Sequence, residues 1–347
     1  MTNDKIRVVI VEDSGFTQLL IKSIISKDKE IQVVGTAYNG KEAIDQTLLH
    51  KPDVVVMDML MPEYDGAFAI KGIMKKRPTP IVILSATGSR NSSYVMDMLK
   101  LGAVDFLNKP EGRRSNLRFI DGQIINKIKI ASRVDPSKLG RAHVEGNMLP
   151  HVFTEGQPYD VIVIGSSTGG PTAIEKILKK MPTNLPVPIL IAQHMPADFV
   201  ESFAARLDQI IELPVRVAHK QTPLIGGHVY ITPGDCNTIV RRNKATNGVV
   251  FDTIDTCFQE YNNPSINALM SSVAITFQGR AIAAILTGMG RDGIKGMDAI
   301  SKKGGYTVAQ DKDSSVVFGM PKEAIEAGIV NRIVPIDEMG EFLVSCL

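Results

Sequence analysis

Short apolar runs alternate with amphipathic stretches along the first 132 residues. The apolar runs are bounded by polar and turn-forming residues, as expected of strands covered on both faces, and the stretches between them repeat apolar residues at helical spacing. Such an alternation predicts an α/β domain with a five-stranded parallel doubly wound sheet. The predicted strands are Ile6–Val11, Gln32–Ala37, Val54–Met57, Ile81–Leu84 and Val104–Phe106, and the predicted helices are Phe16–Lys27, Lys41–Leu49, Gly66–Lys76, Ser92–Lys100 and Ile120–Ala131.

The alternation returns from about Tyr159 to Leu347. Repeated strand–turn–helix units again predict a doubly wound α/β domain with a mostly parallel, covered sheet. Its predicted strands are Val161–Ile164, Pro188–Ala192, Val215–Val217, His228–Ile231, Val249–Phe251, Ala281–Leu286, Thr307–Ala309 and Ile333–Pro335, and its predicted helices are Ala173–Lys180, Ala197–Gln209, Ser265–Thr276, Asp292–Lys303 and Pro321–Ala327.

Between these two regions the periodicity is lost. From Asp135 to Pro158 proline and glycine recur without a strand or helix pattern, which is typical of a linker. We therefore predict one domain over residues 1–132, a linker over 133–158 and a second domain over 159–347. Two domains also agree with a length of 347 residues.

Composition narrows the class of protein. A hydrophobic content of 44%, a charged content of 22% and a net charge of +2 are ordinary for a globular protein and give no reason to expect a nucleic-acid partner. Basic residues are in excess between Glu111 and Arg141, but DNA binding would need a helix-turn-helix or similar module downstream.

The three cysteines form no CxxC pair, so neither a disulfide framework nor a zinc cluster is indicated. The chain starts without a signal-peptide pattern and has no long apolar run, so we expect a cytoplasmic protein without membrane insertion.

Charged and hydroxyl side chains follow four strands of the first domain. Because ligands bind at the carboxyl ends of parallel strands, we expect these side chains to meet on one rim. Three carboxylates there would repel one another unless a hard cation such as Mg²⁺ lay among them, and a lysine and a hydroxyl facing them could bind an oxyanion. The alternative remains that the acidic residues only cap a helix or start a turn. The residues on this rim are Glu12, Asp13, Asp58, Ser85 and Lys109.

This domain resembles the receiver domain of two-component response regulators from Ile6 to about Ala131. The segment Asp58–Pro62, followed by Asp65-Gly66 and by Lys109-Pro110, carries the resemblance. The acidic pair is Glu12-Asp13 where many receivers have two aspartates, a variation that still supplies two carboxylates.

The resemblance assigns a role to each residue of this rim. It implies that Asp58 accepts a phosphoryl group from a histidine kinase and that Ser85 and Lys109 contact the phosphate. Phe106 stands where receivers carry a switch aromatic. The implied Mg²⁺ ligands are Glu12, Asp13, Asp58 and the carbonyl of Met59.

The second domain opens with a strand, a glycine-rich turn and a helix start, over Asp160–Glu175. Pro171 suits the first helical turn, so the turn presents hydroxyls and backbone N–H groups at the positive end of a helix. A phosphate cradle, a nucleophile elbow and a purely structural turn are the competing interpretations. The turn lacks the G-K-[ST] ending of a Walker loop and the spacing of a dinucleotide fingerprint, whereas Gly165–Gly169 fits the G-x-S-x-G elbow.

Three strand ends of the second domain offer a serine, a histidine and an aspartate. A serine becomes a nucleophile when a base removes its proton, and a carboxylate fixes the tautomer of that base. Ser167, His194 and Asp292 on one rim would supply these three roles. A lone histidine after a strand is more often structural, and His219 and His228 compete with His194, but neither follows a strand in a comparable loop. The chain order Ser…His…Asp differs from that of α/β-hydrolases.

This domain resembles the catalytic domain of the chemotaxis protein-glutamate methylesterase family, CheB. Two departures from the family pattern are Cys236-Asn237, where the family often has a histidine, and Asn267, where it often has aspartate. Both could alter the substrate groove. Beyond Gly165–Gly169, the matching segments are Gln193–Pro196, Tyr230–Gly234, Leu286–Gly293, Ala309–Asp311 and Val317–Pro321.

The family resemblance implies an adaptation enzyme. Its substrates would be methyl-accepting chemotaxis receptors, whose glutamate methyl esters it hydrolyses and whose glutamines it deamidates through Ser167, His194 and Asp292. Thr168, at the helix start, and Met289 would support the oxyanion. The chemotaxis histidine kinase CheA would be the phosphodonor, and the unphosphorylated receiver would restrict access to the catalytic face. No cofactor is expected for the ester hydrolysis.

Two other functions stay open at this point. The second domain could be a binding module without catalysis, in which case a serine-directed probe would not label it. It could instead bind NAD(P), which would show as nucleotide binding.

Overall fold

The computed structural model describes residues 5–85, 89–109, 114–139, 159–254 and 264–347, without the side chains of 89–93 and 114–120. The chain divides into two compact units, Met1–His143 and Val144–Leu347. Ala86, Pro110, Cys257 and residues 140–158 of the predicted linker lie outside the described residues. Within the described part of that linker, Pro136–Lys138 form a 3₁₀ turn, which Asp135 caps by accepting the Ser137 N–H.

The first unit contains the predicted five-stranded parallel sheet, in the order β2-β1-β3-β4-β5. Every residue of β3 and β4 is buried, which explains why these strands are continuous apolar runs. α1 packs against α5 and α2 against α3. In chain order the elements are β1 (Ile6–Val11), α1 (Gly15–Ile25), β2 (Ile31–Ala37), α2 (Gly40–His50), β3 (Val54–Asp58), α3 (Gly66–Lys76), β4 (Ile81–Ser85), α4 (Ser89–Lys100), β5 (Asp105–Asn108) and α5 (Arg114–Ala131).

The elements of the second unit follow the predicted alternation and add two that the pattern missed. In chain order they are β6 (Val161–Ser166), α6 (Gly170–Leu178), β7 (Ile189–Gln193), α7 (Ala197–Ile210), β8 (Val215–Val217), β9 (Val229–Ile231), β10 (Asn237–Arg242), β11 (Val249–Ile254), α8 (Ile266–Phe277), β12 (Ala281–Ile285), α9 (Ile294–Lys302), β13 (Tyr306–Gln310), α10 (Met320–Glu326), β14 (Arg332–Val334) and α11 (Ile336–Ser345).

Seven of these strands form one parallel sheet in the order β14-β13-β12-β6-β7-β9-β8. The mostly parallel sheet predicted for this domain is therefore confirmed. Strand β6 lies between β7, which follows it in the chain, and β12, which returns much later on its other side. The strand order thus reverses at β6, and such a switch point opens a crevice at the carboxyl ends of the strands.

β11 was predicted as a strand of the parallel sheet, but it pairs antiparallel with β10 in a separate hairpin. The missed strand β10 packs against α8, where the Val240 N–H donates to the Ser272 hydroxyl at 2.9 Å. The missed helix α11 packs against α6. The hairpin therefore attaches to the sheet domain through α8, and α11 attaches through α6.

No helix in the described residues has both the length and the hydropathy that crossing a membrane would require.

Tyr230 offers a test of packing in the second unit. Its ring is buried and packs on Phe251 at a centroid distance of 5.1 Å. Its hydroxyl donates to the Pro223 carbonyl at 3.1 Å and accepts the Ile225 N–H at 3.2 Å. We expect Tyr230→Phe to lower the free energy of unfolding by about 1–3 kcal/mol, because two backbone groups lose a partner. Urea unfolding measures this loss.

The matched control is Tyr306→Phe, because the Tyr306 hydroxyl makes no hydrogen bond to another described residue and its ring packs near Tyr159 and Phe342. An equal loss in both variants would contradict the importance of the Tyr230 hydroxyl bonds.

Candidate functional sites

Two neighbouring serines in the turn after β6 have different surroundings. Ser166 is fully buried and its hydroxyl donates to Gln193 Oε1 at 2.6 Å. Ser167 is partly exposed, and its N–H donates to the Thr287 carbonyl at 3.0 Å. Helix α6 begins directly afterwards with Gly169 as its N-cap, at φ 78°, and without a side-chain cap. The positive end of that helix is therefore next to Ser167, the serine that a substrate could reach.

His194, directly after β7, faces Asp292 in the loop after β12. The two side chains meet through His194 Nε2 and Asp292 Oδ2 at 2.8 Å, with 12% of the His194 side chain and 1% of the Asp292 side chain exposed. Burial by itself would raise the pKa of Asp292. Its bonds with His194 and with two backbone N–H groups outweigh burial, so that pKa is lowered. Asp292 is therefore held as a carboxylate beside the imidazole.

The two backbone N–H groups belong to the first turn of α8. Ile266 N–H donates to Asp292 Oδ2 and Asn267 N–H to Oδ1, both at 2.8 Å, and the Ser265 hydroxyl lies 3.3 Å from Oδ1. A carboxylate in this position is stabilised by the helix dipole as well as by the hydrogen bonds. Asp292 thus caps a helix and orients a histidine at the same time.

Asn267 in turn caps α9, the helix that follows Asp292. Its Oδ1 accepts the N–H of Gly293 at 3.0 Å and of Gly296 at 2.9 Å, at the start of α9, which has no side-chain cap from its own N-cap residue. The starts of α8 and α9 are therefore joined by two reciprocal caps. From the sequence Asn267 was only a departure from the family pattern, and this role was missed because it requires the docking of two distant segments.

The loop after β12 also borders the nucleophile candidate. A Cβ on Gly288 would lie 2.7 Å from the Cβ of Ser167, so only a glycine lets the two segments approach this closely. The Thr287 hydroxyl donates to the Thr168 carbonyl at 2.9 Å. Met289 follows, half-buried, in the same loop, and Thr168 is buried. The residues expected to support an oxyanion thus lie on two adjoining segments beside Ser167.

The structure pairs His194 with Asp292 but not Ser167 with His194. Within the described residues the Ser167 hydroxyl makes no hydrogen bond, and such bonds often form only when substrate is bound. The two residues are nevertheless joined through the backbone, because Gln193 Nε2 donates to the Ser167 carbonyl at 3.0 Å and to the His194 carbonyl at 2.9 Å. The sequence showed Gln193 only as part of a motif.

The competing histidines lie in other surroundings. His219 is 68% exposed and its Nε2 is 3.7 Å from Glu201, while His228 Nδ1 bonds the Gly226 carbonyl at 3.1 Å. Among these three histidines, His194 is therefore the one that contacts Asp292.

In the first unit the predicted acidic rim is assembled. Carboxylate oxygens of Glu12, Asp13 and Asp58 lie within 4.8 Å of one another. Lys109 Nζ lies 2.7 Å from Asp58 and 2.8 Å from Glu12. Burial raises the pKa of Asp58 and of Glu12 in spite of this lysine. Burial would lower the pKa of Lys109, but its two carboxylate partners outweigh that and raise it.

The alternative that the acidic pair caps α1 is not what the structure shows. Ser14 is the N-cap and accepts the Thr17 N–H, whereas Glu12 accepts the Ser14 N–H at 3.3 Å and Asp13 is exposed. Asp58 does begin a turn, since it accepts the Leu60 N–H at 3.2 Å, but its other oxygen is held by Lys109. Asp58 therefore takes part in an ion pair with Lys109 as well as in the turn.

The remaining predicted residues lie in the loop after β3 and on the neighbouring strands β4 and β5. The Met59 carbonyl accepts the Gly66 N–H at 3.0 Å and keeps a second lone pair for a ligand. Ser85, at the end of β4, and Phe106, in β5, are both buried, and Lys109 N–H donates to the Ser85 carbonyl at 2.7 Å. An all-oxygen set with three carboxylates fits Mg²⁺.

The sequence matches two known families. Residues 162–343 match the CheB methylesterase family and residues 8–120 the response regulator receiver domain. A protein-glutamate methylesterase/protein-glutamine glutaminase from Archaeoglobus fulgidus is 38% identical over 98% of this chain and 98% of its own length. The protein of the same name from Thermotoga maritima is 38% identical over 99% of both chains.

A solved structure agrees with the second unit. The crystal structure of the Thermotoga maritima CheB methylesterase catalytic domain is 37% identical, covers 55% of this chain and 99% of its own, and superposes with a TM-score of 0.53. By sequence and by fold, the chain therefore belongs to the CheB methylesterase family and carries a response regulator receiver domain.

Proposed function

We propose that this chain hydrolyses glutamate methyl esters of chemotaxis receptors and deamidates receptor glutamines, under the control of its receiver domain. As a member of its family the chain is an enzyme, a protein-glutamate methylesterase and protein-glutamine glutaminase. The observation that carries the catalytic proposal is the buried His194–Asp292 pair on the rim that also presents the partly exposed Ser167.

Ser167 is the proposed nucleophile. Its Oγ attacks the ester carbonyl, and its proton passes to His194. Because Asp292 engages Nε2 of that imidazole, Nδ1 is the nitrogen that accepts the proton. Asp292 holds the tautomer and stabilises the imidazolium. The protonated imidazole then gives the proton to the leaving methoxide, so methanol departs and an acyl-enzyme remains.

A water molecule completes the cycle. His194 Nδ1 removes a proton from that water, the hydroxide attacks the acyl carbonyl, and the proton returns to Ser167 as free glutamate is released. With glutamine as substrate the same acyl-enzyme forms with loss of ammonia. The oxyanion is proposed to be bound at the backbone of Met289 and Thr168, next to the positive end of α6. One oxyanion donor is worth on the order of 3 kcal/mol.

Asp58 is the proposed phosphoacceptor, and the chemotaxis histidine kinase CheA the proposed phosphodonor. Bound Mg²⁺ would offset the negative charge that accumulates when the phosphoryl group arrives. Glu12, Asp13, Asp58 and the Met59 carbonyl are the groups that would hold it. Lys109, which already pairs with Asp58, and Ser85 would contact the phosphate. Phe106 is the proposed switch residue. The proposed domain boundaries are 1–132 and 159–347, with a linker over 133–158.

A non-catalytic second domain is the rival function. The features that oppose it are the contact of Asp292 with His194 and the lowered pKa of Asp292, because a binding module has no need of an oriented imidazole on the same rim as a partly exposed serine.

Ser167→Ala should reduce methanol release from methylated receptor membranes by roughly 10⁴- to 10⁶-fold, because the nucleophile is lost. The same substitution should abolish labelling by a fluorophosphonate probe. Ser345→Ala, an exposed serine at the end of α11, serves as the matched control and should keep both signals. Retention of near-parental methanol release by Ser167→Ala would exclude this serine as the nucleophile.

Asp58→Asn should remove the stimulation of methanol release by a small-molecule phosphodonor and leave the basal rate in place, because the phosphoacceptor is absent while the catalytic domain is unchanged. The measurement is the initial rate with and without the phosphodonor and Mg²⁺. Asp45→Asn, which alters an exposed aspartate of α2, should respond as the parent does. Stimulation that persists in Asp58→Asn would point to another acceptor.

A chain of residues 150–347 should show a higher basal rate than the full chain, because the unphosphorylated receiver is proposed to restrict access to the catalytic face. Both proteins are compared by methanol release without phosphodonor. Their active-site concentrations are first counted by probe labelling of a separate sample and then made equal. Equal basal rates would argue against this form of control.

A further inference from the structure

We infer that Gln193 is a positioning residue that fixes the spacing between Ser167 and His194. The inference deepens the proposed function, since it rests on these two residues acting together. Gln193 is the last residue of β7 and is buried. Its amide makes three hydrogen bonds, all within the two segments that carry the nucleophile and the base.

The need for such a residue follows from where the strand ladder ends. β6 and β7 are paired up to Ser166 and Gln193, and the last backbone bond joins His194 N–H to the Ser166 carbonyl at 3.0 Å. Beyond that bond the two chains leave the sheet in different turns. The Gln193 side chain continues the connection, because Nε2 bonds the Ser167 carbonyl and the His194 carbonyl at once. It thereby links the main chain of the two reacting residues.

Only an amide of this length provides the required chemistry. Nε2 supplies two donors for the two carbonyls, and Oε1 supplies the acceptor for the Ser166 hydroxyl at 2.6 Å. A glutamate would present oxygen to both carbonyls, and a methionine of similar size would form none of the three bonds. The two backbone carbonyls fix which end of the amide carries the nitrogen, because they can only accept, whereas a hydroxyl could bond either end.

The first turn of α6 packs closely on the Gln193 amide. A Cβ on Gly170 would lie 2.0 Å from Gln193 Oε1 and 2.9 Å from the Cβ of Ser166. The first turn of α6 therefore packs directly on the amide, and only a glycine at 170 leaves room for it. This contact ties the start of the helix beside Ser167 to the same side chain.

The expected consequence is kinetic. A nucleophile and a base that are displaced by about 1 Å react roughly a hundredfold more slowly. Only 3% of Gln193 is exposed, so we expect its loss to lower kcat and leave KM unchanged.

The test uses the full chain with Gln193→Met, Gly170→Ala and a control, Thr307→Val. Thr307 is buried in β13, which β12 and β6 separate from β7, and its hydroxyl donates to the Ile329 carbonyl at 2.6 Å. All three variants should lose stability in thermal unfolding. Gln193→Met and Gly170→Ala should each lower kcat for methanol release about 10- to 100-fold at unchanged KM and slow fluorophosphonate labelling in parallel, whereas Thr307→Val should keep the parental kcat. Parental kcat in Gln193→Met, or an equal fall in Thr307→Val, would overturn the inference.

Gln193→Glu adds a readout that a merely structural role would not move. A protonated glutamic acid can donate to one carbonyl and still accept from Ser166, whereas the carboxylate can donate to neither. The kcat of Gln193→Glu, divided by that of the parent, should therefore rise as the pH falls, and a ratio independent of pH would contradict the inference. Ser167→Ala distinguishes failure of the proposed function from failure of the inference about Gln193. Activity in Ser167→Ala would refute Ser167 as the nucleophile. An inactive Ser167→Ala together with parental kcat in Gln193→Met would refute only the positioning role of Gln193.

Discussion

The carboxylate of Asp292, buried at the start of α8, is the interaction on which the catalytic domain depends. Removing a charge from water is costly, and the cost is offset here by two backbone N–H groups, the dipole of a helix and the imidazole of His194. The same bonds hold the loop after β12 against α8, and that loop in turn borders Ser167. One charge therefore holds three segments together, and its bonds with His194 and the backbone keep the pKa of Asp292 lowered although burial alone would raise it.

Much of the fold could be predicted because a parallel sheet imposes a strong pattern. Fully buried strands such as β3, β4 and β6 must be continuous apolar runs, and amphipathic helices must lie between them. β10 was not predicted because four residues of its six-residue sequence, Asn237–Arg242, are polar, and it becomes a strand through pairing with β11 and packing on α8. α11 was missed at the C-terminal end. β11 was located but assigned to the wrong sheet, since local pattern does not reveal a strand's partner.

The candidate site was predictable to the extent that it consists of reactive residue types at strand ends. Ser167, His194, Asp292 and the acidic rim of the receiver follow from that rule together with family resemblance. Gln193 and Asn267 do not, because amides carry no chemical signature and their importance lies in bonds to the backbone of distant segments. The G-x-S-x-G register already favours Ser167 over Ser166, and the full burial of Ser166 favours the same serine.

The reciprocal caps formed by Asp292 and Asn267 have a consequence for biosynthesis. Neither cap exists until α8 and α9 have docked, and both helices lie late in the chain, after the strands that carry Ser167 and His194. The growing polypeptide therefore contains Ser167 and His194 before Asp292 has been added, and the contact between His194 and Asp292 forms only with the final packing of the domain.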